Sequence, residues 1–201
     1  MSMLAGSGIV LASNSASRKA MLAAAGVAFE VQAADVDERA IEAEMGDAEP
    51  EEVAQALAAA KAAAVSALRP DALVLGSDSL VTAGGRRFDK PRSIEEAANH
   101  LRAFSGTVMA LHSAAAFSRG GRIVRVESNF ATLHMRELSE DFIDAYLATE
   151  WPAVAQCVGV FRIEGPGVQL FDRIIGDQFT VLGMPLLQVL AALRDEGVLA
   201  Q

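Results

Sequence analysis

The sequence has one cysteine, Cys157, in 201 residues. An internal disulfide is therefore excluded, and a reducing compartment suits the chain. Basic residues are scarce. Lys and Arg number 17 against 26 Asp and Glu, for a formal net charge of −9. A protein that neutralises the phosphates of a nucleic-acid polymer needs a basic surface, so such a polymer is a poor partner here. Small anionic ligands stay open, because a local cluster of Arg and Lys can work inside an acidic protein. No apolar run reaches the roughly 20 residues that span a bilayer. The alanine-rich stretch from Ala54 to Leu68 is interrupted by Gln55 and Lys61. The opening MSMLAGSGIVLASNSASRK has no basic segment ahead of its apolar part, so no secretory leader is expected. A cytoplasmic protein with no membrane partner is the expectation. The P-loop pattern and the dinucleotide pattern G-x-G-x-x-G are both missing. His100, His112 and His134 lack metal-ligand spacing and read as structural. Cys157 reads as a buried apolar residue.

What is present is a high apolar content, 52%, with only 21% charged residues. Disorder is excluded on that balance, and one compact α/β domain over residues 1–201, or two closely packed lobes, is expected. No repeat or linker stands out. The apolar run Gly8 to Ala12 predicts a strand, followed by the polar loop SNSAS and a helix from Arg18 to Ala25. Val27 to Ala33 predicts a second strand, and the acidic segment from Asp35 to Asp47 a loop or frayed helix. Pro50 opens a long helix, with Glu51 and Glu52 at its positive end. Val53, Leu57, Ala64 and Leu68 recur along it at helical spacing, and Lys61 falls on the same face. A lone Lys there is unusual. It either snorkels at the rim of the core or does chemistry. Ala72 to Gly76 predicts a strand ending in Ser77-Asp78-Ser79, and Gly84-Gly85 a turn. Ser93 to Glu96 is a capping-box pattern that starts a helix. Val108 to Phe117 and Arg122 to Met135 predict a hairpin about Gly120-Gly121. Ser139 caps a further helix. Two short strands are expected to flank Gly165-Pro166-Gly167, and a last helix runs from Pro185 towards Gly197.

Four segments could carry chemistry. Ser13 to Lys19 lies between a strand and a helix, where free N–H groups, hydroxyls and the Arg18 fork suit phosphate. An ordinary serine cap would look the same. Asp78, at the carboxyl end of its strand, could hold Mg²⁺ or take a proton from water. A turn Asp is the bland alternative. Lys90 precedes Pro91, which holds its backbone extended. Asp35, Asp37 and Glu38 form a carboxylate cluster that could share a metal with Asp78, or a solvated loop.

In order and over nearly the whole chain, these segments resemble the Maf family, also called septum formation inhibitor proteins. LASNSASRKAML resembles the family's opening L-A-S-x-S-x-x-R. The segments VDE at Val36 to Glu38, Lys61, GSDSLV from Gly76, KP at Lys90-Pro91 and SG at Ser105-Gly106 follow in order. GVFRIEGPG and LGMPL then resemble the closing elements. The resemblance implies a mixed twisted α/β sheet with flanking helices and two lobes around a central cleft. It implies hydrolysis of a nucleoside triphosphate to a monophosphate and pyrophosphate with Mg²⁺ or Mn²⁺. On it, Ser13, Ser15 and Arg18 hold phosphate, while Lys61 and Lys90 clamp the triphosphate and offset charge on the leaving pyrophosphate. Glu38 and Asp78 bind the metal, and Asp78 is the base that activates water. The expectation is that Arg18, Glu38, Lys61, Asp78 and Lys90 converge on one groove. A homodimer is compatible with the resemblance.

The base is read from two positions. The family branch acting on dTTP and UTP carries an Arg where this chain has Ser17 and a Gln where it has Glu164. The branch acting on 7-methyl-GTP carries Trp and Glu there. Glu164 points to the second branch, and Ser17 fits neither. Ser79 stands where Thr or Gln is usual, and Val158 where Ala is usual. A non-catalytic nucleotide-binding regulator of cell division is the competing class.

Overall fold

The computed structural model describes residues 8–201. The leader reading falls partly on residues 1–7 and lies outside the described residues. The elements are β1 (Ile9–Leu11), α1 (Ala16–Ala24), β2 (Phe29–Val31), α2 (Glu38–Met45), α3 (Pro50–Leu68), β3 (Val74–Ala83), β4 (Arg86–Phe88) and α4 (Ile94–Phe104). Then come β5 (Val108–Arg119), β6 (Arg122–Met135), α5 (Glu140–Glu150), β7 (Phe171–Ile175), α6 (Gln178–Val181) and α7 (Leu186–Asp195). Short 3₁₀ turns cover Ala153–Gln156 and Pro166–Leu170. The strands form one sheet in the order β2-β1-β3-β5-β6-β7, with β4 on β3. β1 is parallel to β2 and β3, whereas β4 and β7 run antiparallel to β3 and β6. The mixed sheet with helices is the expected fold class. No helix among the described residues is long and apolar enough to cross a membrane.

The chain divides into two compact units. The first holds residues up to Ser79, His112–Asn129 and Gly183–Gln201, and the second Leu80–Leu111 and Phe130–Leu182. In the first unit all three residues of β1 are buried, as a strand between parallel neighbours requires. Helix α3 packs against β3 through small residues. A Cβ added to Gly76 would lie 2.2 Å from the Ala58 carbonyl oxygen and 2.6 Å from the Ala62 nitrogen. The buried stripe is therefore Val53, Ala54, Leu57, Ala58, Ala62 and Val65. Leu68, expected on that face, is 71% exposed. Alanines with little apolar weight of their own make the closest approach, so the larger residues misplace the stripe.

Two further expectations change in this unit. The acidic segment is an ordered helix, α2, because the Asp37 side chain accepts a hydrogen bond from the Ala40 N–H and caps it. The strand expected to end at Ser77-Asp78-Ser79 continues to Ala83, since Leu80 and Val81 restore the apolar pattern after the polar triplet. Asp78 is thus inside β3, not at its end.

In the second unit Gly84 and Gly85 turn β3 into β4 with φ of 56° and 73°, the left-handed pair a two-residue hairpin turn demands. Phe88, Leu101, Phe104, Met109, Leu133 and Ile143 build the core. Phe88 and Phe104 meet edge to face at 4.5 Å. Ser93 caps α4, but Glu96 returns its bond to the Arg92 N–H rather than to Ser93. Only β7 flanks Gly165-Pro166-Gly167. Ahead of it the chain folds back in turns, because Gly167 lies so close to Arg162 that an added Cβ would meet its carbonyl oxygen at 2.5 Å.

Candidate active site

The first unit brings together Ser13, Ser15, Arg18, Glu38, Lys61 and Asp78. Chain leaving β1 turns at Ser13, and Ser15 caps α1 by accepting from the Arg18 N–H at 3.4 Å. The Ser13 hydroxyl oxygen accepts from the Ser15 N–H and from Arg18 Nη1, both at 3.2 Å. Both serines act towards the protein as acceptors, so each keeps its one O–H donor for another group. No acidic residue lies in the first turn of α1. Its N-terminus therefore keeps a positive field.

Arg18 is buried at 8% exposure. Its Nε donates to the Gly183 carbonyl at 3.0 Å and Nη1 to the Ser77 carbonyl at 2.7 Å. Nη2 donates to the Ser79 hydroxyl at 3.3 Å. With Nη1 to Ser13, four donor directions of the guanidinium end on protein oxygens. Burial lowers its pKa from the usual arginine range, with Asp78 and then Glu38 opposing that fall.

Lys61 does not snorkel. It sits one turn after Leu57, at the edge of the face that α3 presses on β3, and its side chain is 11% exposed. Nζ lies 2.5 Å from Asp78 Oδ1 and 2.8 Å from Glu38 Oε1. Asp78 arrives from the middle of β3 and is 10% exposed in its side chain, while Glu38 arrives from the first turn of α2 and is 49% exposed. Of the acidic cluster, Glu38 is the residue ion-paired to Lys61 and Asp37 the cap. Two carboxylates from separate elements thus converge on one cationic centre.

Lys90 and Glu164 lie in the second unit. Both are exposed, Lys90 following β4 and Glu164 in the turn before the Pro166–Leu170 3₁₀ segment. They share a neighbourhood around Cys157. Burial raises that thiol's pKa, Glu164 adds to the rise, and Arg162 and Lys90 oppose it. Sequence reasoning missed what holds this turn. Arg162 forks onto the buried Glu150 with bonds of 2.9 and 3.0 Å, and the Tyr146 hydroxyl donates to the Val160 carbonyl at 3.0 Å. Val160 has φ of 57°, a strained conformation for a β-branched residue. The available signal was Arg162 two positions before Glu164. The histidines form no metal centre, and no group of three or more His, Cys, Asp or Glu among the described residues could hold one.

The chain is similar to known proteins over almost its full length. The family described as Maf-like protein matches residues 8–196. A 7-methyl-GTP pyrophosphatase of Rhizobium etli is 46% identical over 193 residues, 95% of this chain and 97% of that protein. One from Mesorhizobium japonicum is 47% identical over 193 residues, with the same coverage. A nucleoside triphosphate pyrophosphatase of Nitrobacter hamburgensis is 45% identical over 192 residues, 96% of this chain and 95% of that protein.

Proposed function

The chain belongs to the Maf-like protein family, and from that membership we propose a nucleoside triphosphate pyrophosphatase whose preferred substrate is 7-methyl-GTP. Pyrophosphatase activity is the name its relatives carry, and the methylated base is named for the relatives from Rhizobium etli and Mesorhizobium japonicum. The observation that carries the proposal is the pair of carboxylates, Glu38 and Asp78, meeting at Lys61.

That pair fits a divalent cation. Hard carboxylate oxygens suit Mg²⁺ or Mn²⁺, and Mg²⁺ is commonly held by one or two carboxylates with substrate phosphates and water completing its shell. Glu38 and Asp78 would hold the ion. When bound it would polarise the α-phosphate and offset the charge of the triphosphate. The chain's own groups do the rest. The O–H groups of Ser13 and Ser15 and the N-terminus of α1 receive phosphate oxygens. Asp78 accepts the proton of a water whose oxygen attacks the α-phosphorus. The bond from that phosphorus to the bridging oxygen breaks, giving a nucleoside monophosphate and pyrophosphate. Lys61 and Lys90 are assigned to the charge growing on pyrophosphate. Glu164 is assigned to the base. A cytoplasmic setting belongs to the same reading.

Purified protein with Mg²⁺ or Mn²⁺ should release pyrophosphate, not orthophosphate, from a nucleotide panel, and EDTA should abolish release. Asp78→Asn should lose about a hundredfold or more of kcat. Full activity in that variant removes Asp78 as the base. Tight nucleotide binding without turnover across the panel would favour the non-catalytic reading.

A further inference from the structure

We propose that Arg18 is a positioning residue for Asp78, acting through the β3 backbone, and not a ligand of substrate phosphate. The inference rests on the reading of Asp78 as the base. Successive side chains of a strand point to opposite faces. Asp78 faces Lys61, at 2.5 Å. Ser77 and Ser79 face the other way, and Arg18 binds there. Its Nη1 donates to the Ser77 carbonyl and its Nη2 to the Ser79 hydroxyl, so the bonds fall on the residues immediately before and after Asp78. The same guanidinium reaches the Gly183 carbonyl through Nε, and the Ser77 hydroxyl donates to that carbonyl at 3.4 Å. Gly183 has φ of 98°, which a side chain would not tolerate, and an added Cβ would stand 3.2 Å from the Ser79 hydroxyl. One planar fork therefore ties α1, β3 and the Gly183 turn together behind the reactive carboxylate.

The donor count separates the two roles. A guanidinium has five N–H groups, and four hydrogen bonds from Arg18 end on protein oxygens. One N–H of Nη2 is left over, and a phosphate seeking the paired donors of a fork would have to displace at least one of these bonds inside a buried site. What the fork controls is the Ser77–Asp78 peptide before the carboxylate and the Ser79 side chain after it, and with them where the carboxylate points. A shift of about 1 Å in a reacting group costs on the order of a hundredfold in rate. Lysine keeps the charge but is a point donor that cannot hold three separated oxygens in one plane.

The experiment measures kcat, KM and the pyrophosphate dissociation constant for wild type, Arg18→Lys, Ser79→Ala and Asp78→Asn, and for Arg18→Lys and Ser79→Ala each combined with Asp78→Asn. Arg18→Lys should lower kcat on the order of ten- to a hundredfold, with the pyrophosphate dissociation constant unchanged. Ser79→Ala should lower it less. Neither should alter the residual rate once Asp78 is Asn, because a positioning residue has nothing left to position. Weakened pyrophosphate binding that tracks the loss in Arg18→Lys would make Arg18 a phosphate ligand and overturn the proposal. So would effects that multiply with Asp78→Asn. If Arg18→Lys does not fold, Ser79→Ala carries the same cycle. Full activity in Asp78→Asn would sink the base assignment and the positioning claim together. An inactive Asp78→Asn with multiplying effects would sink the positioning claim alone.

Discussion

Glu164 brings a full negative charge to an exposed turn, beside an Arg162 that is already forked onto Glu150. A guanine methylated at N7 is cationic and offers N–H donors on its pairing edge, so a carboxylate serves it twice, by charge and as an acceptor. Hydrogen bonds to charged groups are the stronger kind. Glu164→Gln should therefore lower kcat/KM for 7-methyl-GTP by on the order of tenfold relative to dTTP and UTP, with pyrophosphate affinity unchanged. Competition assays with paired nucleotides read that ratio directly, and an unaltered ranking would remove Glu164 from base selection. Single residues of this kind were legible from the sequence because each carries its own chemistry. A Lys on an apolar helix face and an acid after an apolar run announce themselves. Their partners were not legible. Arg18 is bonded to Gly183, 165 positions away, and neither glycine nor the serines beside Asp78 carries a mark of that contact. The expectation that assigns the guanidinium to phosphate takes no account of that contact.

Helix α1 shows how a local element can serve stability and binding at one position. Ser15 caps it, and the same residue presents its O–H where an anion would meet the helix N-terminus. Asp is as good a cap as Ser, whereas Ala is not. Ser15→Asp should keep the thermal stability of wild type yet raise KM for the triphosphate, because a fixed negative charge then faces the phosphates. Ser15→Ala should do the reverse in emphasis, losing about 1 kcal/mol of stability with a smaller rise in KM. Urea melts and steady-state kinetics on the two variants separate the roles, and an unchanged KM in Ser15→Asp would take phosphate away from this turn. Caps, glycine turns and apolar runs made α1, α3, α5 and both glycine hairpin turns readable in advance, since those signals are local. The length of β3 and the helical state of the Glu38 segment rest on local signals that are easily passed over, the apolar pair Leu80 and Val81 after a polar triplet and the Asp37 cap of a helix with no buried residue. The burial of alanines rather than Leu68 on α3 depends on Gly76 across from it, and the sequence of the helix does not carry that information.

Across the whole molecule, stability should respond to acid first through two histidines and, at lower pH, through Glu140. Burial holds His100 below its ordinary value near 6.5, with Glu96 and Asp89 raising it and Arg86 lowering it. Burial does the same to His112, against Glu51 and Glu49. The unfolded chain therefore takes up these protons at a higher pH than the folded one. Stability falls as pH drops below about 6.5 and stops falling through these groups once the folded histidines are themselves protonated. Glu140 has the same sign but a lower window. The Arg102 side chain, 2.7 Å away, holds its carboxyl below the ordinary 4.5, so its contribution is present above that value and is lost beneath it. Urea melts at pH 7.5, 6.5, 5.5 and 5.0 should thus show a decline between the second and last points in wild type. His100→Gln, which removes one titrating ring from beside Phe88, 5.2 Å away, should show a shallower decline across that same interval. If the slopes of the two proteins coincide, the His100 proton is not a source of the acid sensitivity.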